Sequence, residues 1–471
     1  MRSVSFLVIV FSICASVTNL PAQVKLPYFF SDNMVLQQQT QANIWGWDKA
    51  GTAVSITTSW NKKKYTATTD AAGKWQLAVE TPSWGGPYEL TISDGKPITL
   101  HNVLIGEVWL CSGQSNMEMP MKGFKNQPIL HSNEAILHSA NKNIRLFTVP
   151  RNPRPLPVDT VKNTQWQEAS PEPVSNFSAT AYYFARLLNE LLGIPVGLIS
   201  TSYGGSPVEA FMSTEALKSF AGITLPVKND TTKVNNKVAT ALFNGMIQPV
   251  IGYTIKGCIW YQGETNVDRP AQYEQLFPAM VKEWRERWGI GDFPFYYAQI
   301  APFDYSTTGS SSNSAYLRDA QRKSLAQIPN SGMAVLMDIG EANSIHPRHK
   351  QEGGERLALL ALAQTYHQKG FGAASPSYDS MSIEGNTINL HFANAKNGLT
   401  SYGLPLTQFE IAGSNKTFYP ARAVITNNGI SVSTPEIKQP VAVRYAFKDF
   451  IVGELYSVEG LPVSSFRTDN W

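Results

Sequence analysis

Cysteine is almost absent, with three in 471 residues, one of them (Cys14) inside the apolar start of the chain. So few thiols exclude a scaffold built on disulfides. Cys111 and Cys258 fall inside apolar, strand-like runs, where buried free thiols are expected; a bridge would require the two strands to be neighbours. Charge is also sparse: 16% of residues are Asp, Glu, Lys or Arg, and the net charge is +3. Without a basic run or stripe, the chain offers no electrostatic footprint for nucleic acid. There is no Cys pair and no His-Glu-x-x-His, so the spacing of His346 and His349 does not by itself make a metal site. No apolar segment beyond the first 22 residues is long enough to cross a bilayer. Internal repeats, low-complexity tracts and the Gly-x-Ser-x-Gly turn of many serine hydrolases are missing too.

What is present is apolar and aromatic. Hydrophobic residues make up 43% of the chain, with 11 Trp, 19 Tyr and 22 Phe, enough to fill cores in a chain too long for one compact domain. Arg2, the apolar stretch Phe6–Val17 and Leu20-Pro21-Ala22 read as an export signal spanning residues 1–22, giving a periplasmic or extracellular protein. Residues 23–103 carry short aromatic or β-branched runs separated by turns such as Asp94-Gly95, which predicts a β-sandwich-like domain. From 104 to 372 apolar strands alternate with helical segments such as Ala179–Leu192, the pattern of a parallel α/β sheet covered on both faces. Residues 373–471 return to β-rich patterning, and could pack on the first domain or stand alone.

In a parallel sheet covered by helices, sites form in the loops at the carboxyl ends of strands. Polar clusters follow several of the expected strands. Gly113-Gln114-Ser115-Asn116-Met117 could present a serine hydroxyl to a cleft or be a plain polar turn. Tyr203-Gly204-Gly205-Ser206-Pro207 could bring a backbone N–H to a ligand or be an ordinary glycine turn. Gln262-Gly263-Glu264-Thr265-Asn266 offers an amide donor suited to an oxyanion, and a carboxylate that is either part of a site or a helix cap. His346, before Pro347 and the last helix of the domain, could reach a serine from its loop and take its proton, given an acceptor for its other ring nitrogen.

The order and combination of GEVWLCSGQSNMEMP (106–120), STSYGGSPVEAF (200–211), IWYQGETN (259–266), YLRDAQ (316–321), DIGEANSIHPRHKQ (338–351) and EGLPVSSFRTDNW (459–471) resemble the sialate O-acetylesterase family. That family looks like a branch of the SGNH-type hydrolases and is similar to some acetylxylan esterases. The resemblance implies a flavodoxin-like central fold with β-rich flanks, no cofactor, and an O-acetylated sugar or glycan as substrate. It implies Ser115 as nucleophile, His346 as base, and the N–H of Ser115, the N–H of Gly205 and the Gln262 amide as the oxyanion hole. Gln114, Asn116, Glu264, Asn266 and Arg348 become candidates for substrate binding. Many SGNH-type hydrolases have an acid three residues before the histidine, whereas this chain has Asn343. The third catalytic member is therefore open among Asp338, Glu341, Glu264 and a backbone carbonyl serving a Ser–His dyad, with Asp338 or the dyad preferred. For a sugar bearing a carboxylate, Arg348 and Arg318 are the candidate cations, although Arg318 also reads as a surface helix charge.

Overall fold

Val196–Ser200 and Gly257–Tyr261 are runs of apolar and small residues buried at every position, as strands sandwiched between two layers must be. The computed structural model describes residues 24–226, 234–309 and 313–471; the expected export signal lies outside them. The parallel strands are β1 (Pro97–Gly113), β2 (Asn141–Thr148), β3 (Val196–Ser200), β4 (Gly257–Tyr261), β5 (Phe295–Ala298) and β6 (Ser331–Ala334). They lie in the order β2-β3-β1-β4-β5-β6, and a short antiparallel strand, Gln167–Ala169, lines the outer edge of β2.

Alternate strand residues face opposite layers. Trp109, Cys111, Ile259 and Tyr261 share one core with helices α1 (Ala179–Leu192) and α4 (Lys350–Gln364). Leu110, Cys258 and Trp260 share the other with α2 (Pro270–Trp288) and α3 (Ala315–Ser324). Helix α1 forms because its apolar face meets the sheet, Ser178 accepts a capping bond from the Ala181 N–H, and Gly193 ends it in the left-handed conformation. The expected parallel sheet with helices on both faces is therefore present. Its order is 2-3-1-4-5-6, with β3 between β1 and β2 and with β2 on the outer side. Cys111 and Cys258 lie on neighbouring strands but point into opposite layers, so both remain free and buried.

Before the sheet, strands 53–58, 64–68 and 85–93 pair with one another and with the first half of β1, and share a core with the antiparallel pair 40–47 and 74–81. β1 is continuous through residue 103, where the sequence pattern changes, and so belongs to both sheets. The C-terminal β region packs on the central domain through Arg318. This side chain is neither a surface charge nor open to a ligand: it is fully buried. It donates to the Lys448 carbonyl, the Asp449 carbonyl (3.3 Å), Ser465 Oγ (3.1 Å) and Ser314 Oγ (3.0 Å). Burial lowers its pKa to about 10.

Candidate active site

β3, β1 and β4 are adjacent, so the three polar clusters that follow them meet at one edge of the sheet. β1 ends at Gly113, whose positive φ (140°) turns the chain into the single helical turn Ser115–Glu118. A side chain at 113 would meet the Tyr261 carbonyl, because Gln114 N–H donates to that oxygen (3.0 Å) and draws the strand ends together. The glycine turn after β3 lies directly against this turn: a Cβ on Gly204 would sit 3.1 Å from that of Ser115. Glu118 fixes the contact by accepting from the Gly204 N–H (2.8 Å) and from Arg151 Nε (2.6 Å), and Arg151 stacks on the Tyr203 ring. Among the described residues, the N–H groups of Ser115 and Gly205 make no hydrogen bond.

His346 arrives from the loop after β6. Its Nε2 lies 2.7 Å from Ser115 Oγ. Its Nδ1 lies 2.5 Å from Gln127 Oε1. An amide oxygen only accepts, so Nδ1 carries the ring proton and Nε2 is left to accept from the serine hydroxyl. The ring also rests edge-on against Phe124, and Leu130 N–H donates to the Arg348 carbonyl, which ties the Gln127 loop to the histidine loop. Burial, reinforced by the nearby charge of Lys350, depresses the His346 pKa to about 4, so the imidazole is neutral near pH 7.

Asp338, the carboxylate expected beside the histidine, is elsewhere. It forms a two-pronged pair with Arg356 at 2.6 and 2.7 Å. Glu341 is taken by the backbone N–H and side chain of Arg348, and Glu264 accepts from Asn116 Nδ2 (2.5 Å). Asn343 is exposed and has no hydrogen bond to the ring. The residue on the ring's far side is Gln127, which nothing in the sequence marked: it lies in an irregular loop outside every quoted segment.

The expected oxyanion role of Gln262 also changes. The side chain is fully buried, and its amide hydrogens go to Ser206 O (3.1 Å) and Asn266 Oδ1 (2.7 Å). The orientation is forced, since Asn266 Oδ1 also accepts from Val208 N–H while its Nδ2 donates to Glu209. No amide hydrogen is left for an oxyanion. Four of the substrate-binding candidates are buried braces as well. Gln114 accepts from the N–H groups of Gly263 and Thr265 (3.3 Å each), Asn266 is held as described, and Asn116 and Glu264 bond each other. Only Arg348 is exposed, and its charge is paired with Glu341.

A doubly wound α/β sheet whose carboxyl edge gathers a hydroxyl, a neutral imidazole and a glycine turn is the layout of an ester-hydrolysing enzyme of the α/β class. Residues 105–363 match the family described as carbohydrate esterase, sialic acid-specific acetylesterase, and the chain belongs to that family. It is 32% identical to human sialate O-acetylesterase over 386 residues, covering 74% of this chain and 72% of the relative. A mouse sialate O-acetylesterase is 28% identical, with 74% of each chain covered. The crystal structure of a carbohydrate acetylesterase from Xanthomonas citri superposes with a TM-score of 0.86 at 33% identity, covering 95% of this chain and all of the other.

Proposed function

We propose that this protein hydrolyses acetyl esters on sugar hydroxyls through an acetylated Ser115, with His346 as general base and Gln127 as a neutral orienting acceptor. The observation that carries the reading is the 2.7 Å contact from Ser115 Oγ to an imidazole whose other nitrogen faces an amide oxygen. Ser115 Oγ attacks the acetyl carbonyl as its proton passes to His346 Nε2. The carbonyl oxygen becomes an oxyanion, for which the N–H groups of Ser115 and Gly205 are the candidate donors. The tetrahedral centre collapses, the C–O bond to the sugar breaks, and the sugar oxygen takes the proton from His346. Water then attacks the acetyl-enzyme with the same proton relay and releases acetate and free serine.

Acetylated sialic acid is the substrate class suggested by the name of the curated relatives. A second reading, an acetylated neutral polysaccharide, is favoured by the arginines: Arg318 is buried, and Arg348 and Arg151 each already hold a carboxylate. The leader-like start supports export, and no described helix is long and apolar enough to cross a membrane. The test is acetate release from O-acetylated sialic acid and from acetylated xylan or xyloglucan, beside Ser115→Ala. Serine-dependent release is expected, falling by several orders of magnitude in the variant. Activity that survives Ser115→Ala would overturn the mechanism, and the preferred substrate chooses between the two sugar classes.

A further inference from the structure

Beneath the Ser115–His346 pair lies a buried polar chain that the proposed mechanism does not use. Lys350, at the start of α4, is 2% exposed, and its Nζ donates to Asn116 Oδ1. That bond fixes the amide orientation, so Asn116 Nδ2 donates to Glu264 Oε1 (2.5 Å) and to the Ile345 carbonyl (3.0 Å). Asn116 directly follows Ser115, and Ile345 directly precedes His346. One amide therefore ties the turn that carries the hydroxyl to the loop that carries the imidazole, while Glu264 anchors it to the turn after β4. The Asn116 carbonyl is held as well, by Thr180 Oγ1 of α1 (3.1 Å).

We propose that Lys350 is a positioning residue for acetyl transfer, orienting Asn116 so that the serine turn and the histidine loop keep their registry. Its charge also disfavours protonation of His346. The inference rests on Ser115 and His346 being the reacting pair. A lysine so deeply buried is costly unless other groups hold it in place. The groups facing it are Glu264 from the turn after β4, Tyr261 from β4 (ring 5.7 Å from Nζ), and Glu341 and His346 from the loop before α4. Burial lowers the Lys350 pKa to about 7, against the attraction of Glu264 and Glu341, and burial raises that of Glu264. Lys350 is thus charged throughout the acid range in which His346 takes its proton.

The sign of the pH effect follows. A neighbouring cation disfavours imidazolium, so removing it raises the His346 pKa from about 4 toward the ordinary 6.5 and moves the acid limb of kcat/KM to higher pH. In Lys350→Met the acid limb should shift upward, and kcat should fall roughly tenfold to a hundredfold as registry loosens. KM should stay within about twofold. A parallel measurement needs no variant: in the wild-type protein with ¹⁵N-labelled histidine, the His346 ring nitrogens should show an inflection as Lys350 loses its proton near pH 7. An unshifted acid limb with wild-type kcat in Lys350→Met would overturn the proposal, as would His346 resonances blind to the Lys350 titration. Neither result depends on Ser115→Ala, whose retained activity would instead sink the catalytic assignment.

Discussion

At the scale of single residues, the notable choice is a neutral partner for the imidazole. A carboxylate on Nδ1 both orients the ring and stabilises imidazolium, whereas Gln127 only orients it. Together with burial and the Lys350 charge, this keeps His346 neutral in the resting site. Gln127→Leu leaves Nδ1–H without an acceptor and frees the ring to turn or change tautomer. Steady-state kinetics should show kcat lower by on the order of 10²-fold with little change in KM. Gln127→Glu should instead keep activity at neutral pH and move the acid limb upward, because an anion beside the ring favours its protonated form. The dyad was among the readings open in the sequence, since position 343 lacks an acid. Gln127 itself was not legible, because a single glutamine in a loop carries no periodicity or motif.

At the scale of elements, the site depends on where strands stop. β1 ends at Gly113 because only a residue without a side chain can take that φ while packed on the Tyr261 carbonyl. Gly113→Ala combines backbone strain with a clash against backbone that cannot swing aside. Chemical denaturation should show a loss of roughly 2–4 kcal/mol, with activity lost alongside. The polar clusters at these strand ends were visible in the sequence, but their division of labour was not. Gln114, Gln262 and Asn266 look like ligand-binding amides and instead brace one turn against the next. A buried amide must satisfy its donors and acceptors whatever its place in a motif, and here neighbouring turns satisfy them.

At the scale of the whole molecule, the flanking β regions are joined to the esterase core by different means. The N-terminal one shares the continuous strand β1, while the C-terminal one is held by side-chain bonds, foremost those of the buried Arg318 guanidinium, together with the Asp319–Arg467 ion pair (3.3 Å). Gln299 adds a further link, through Ser464 Oγ (2.8 Å). Arg318→Leu would strand the carbonyls of Lys448 and Asp449. A loss of about 3 kcal/mol is expected by thermal or denaturant unfolding. Limited proteolysis should find new cleavage around residues 448–465, with the Ser115–His346 pair still in place.

Read alone, the sequence determined the class of fold, because alternating buried strands and amphipathic helices suit only a parallel sheet covered on both faces. It also pointed to Ser115 and His346, because the segments that carry them resemble, in their order and combination, those of the sialate O-acetylesterase family. Only the tertiary structure decided that β3 inserts beside β1, that Gln127 rather than Asp338 meets the imidazole, and that Arg318 is a clamp and not a binding cation. These outcomes depend on which groups lie within hydrogen-bond reach after folding, and segments more than two hundred residues apart, such as those carrying Gln127 and His346, meet only then.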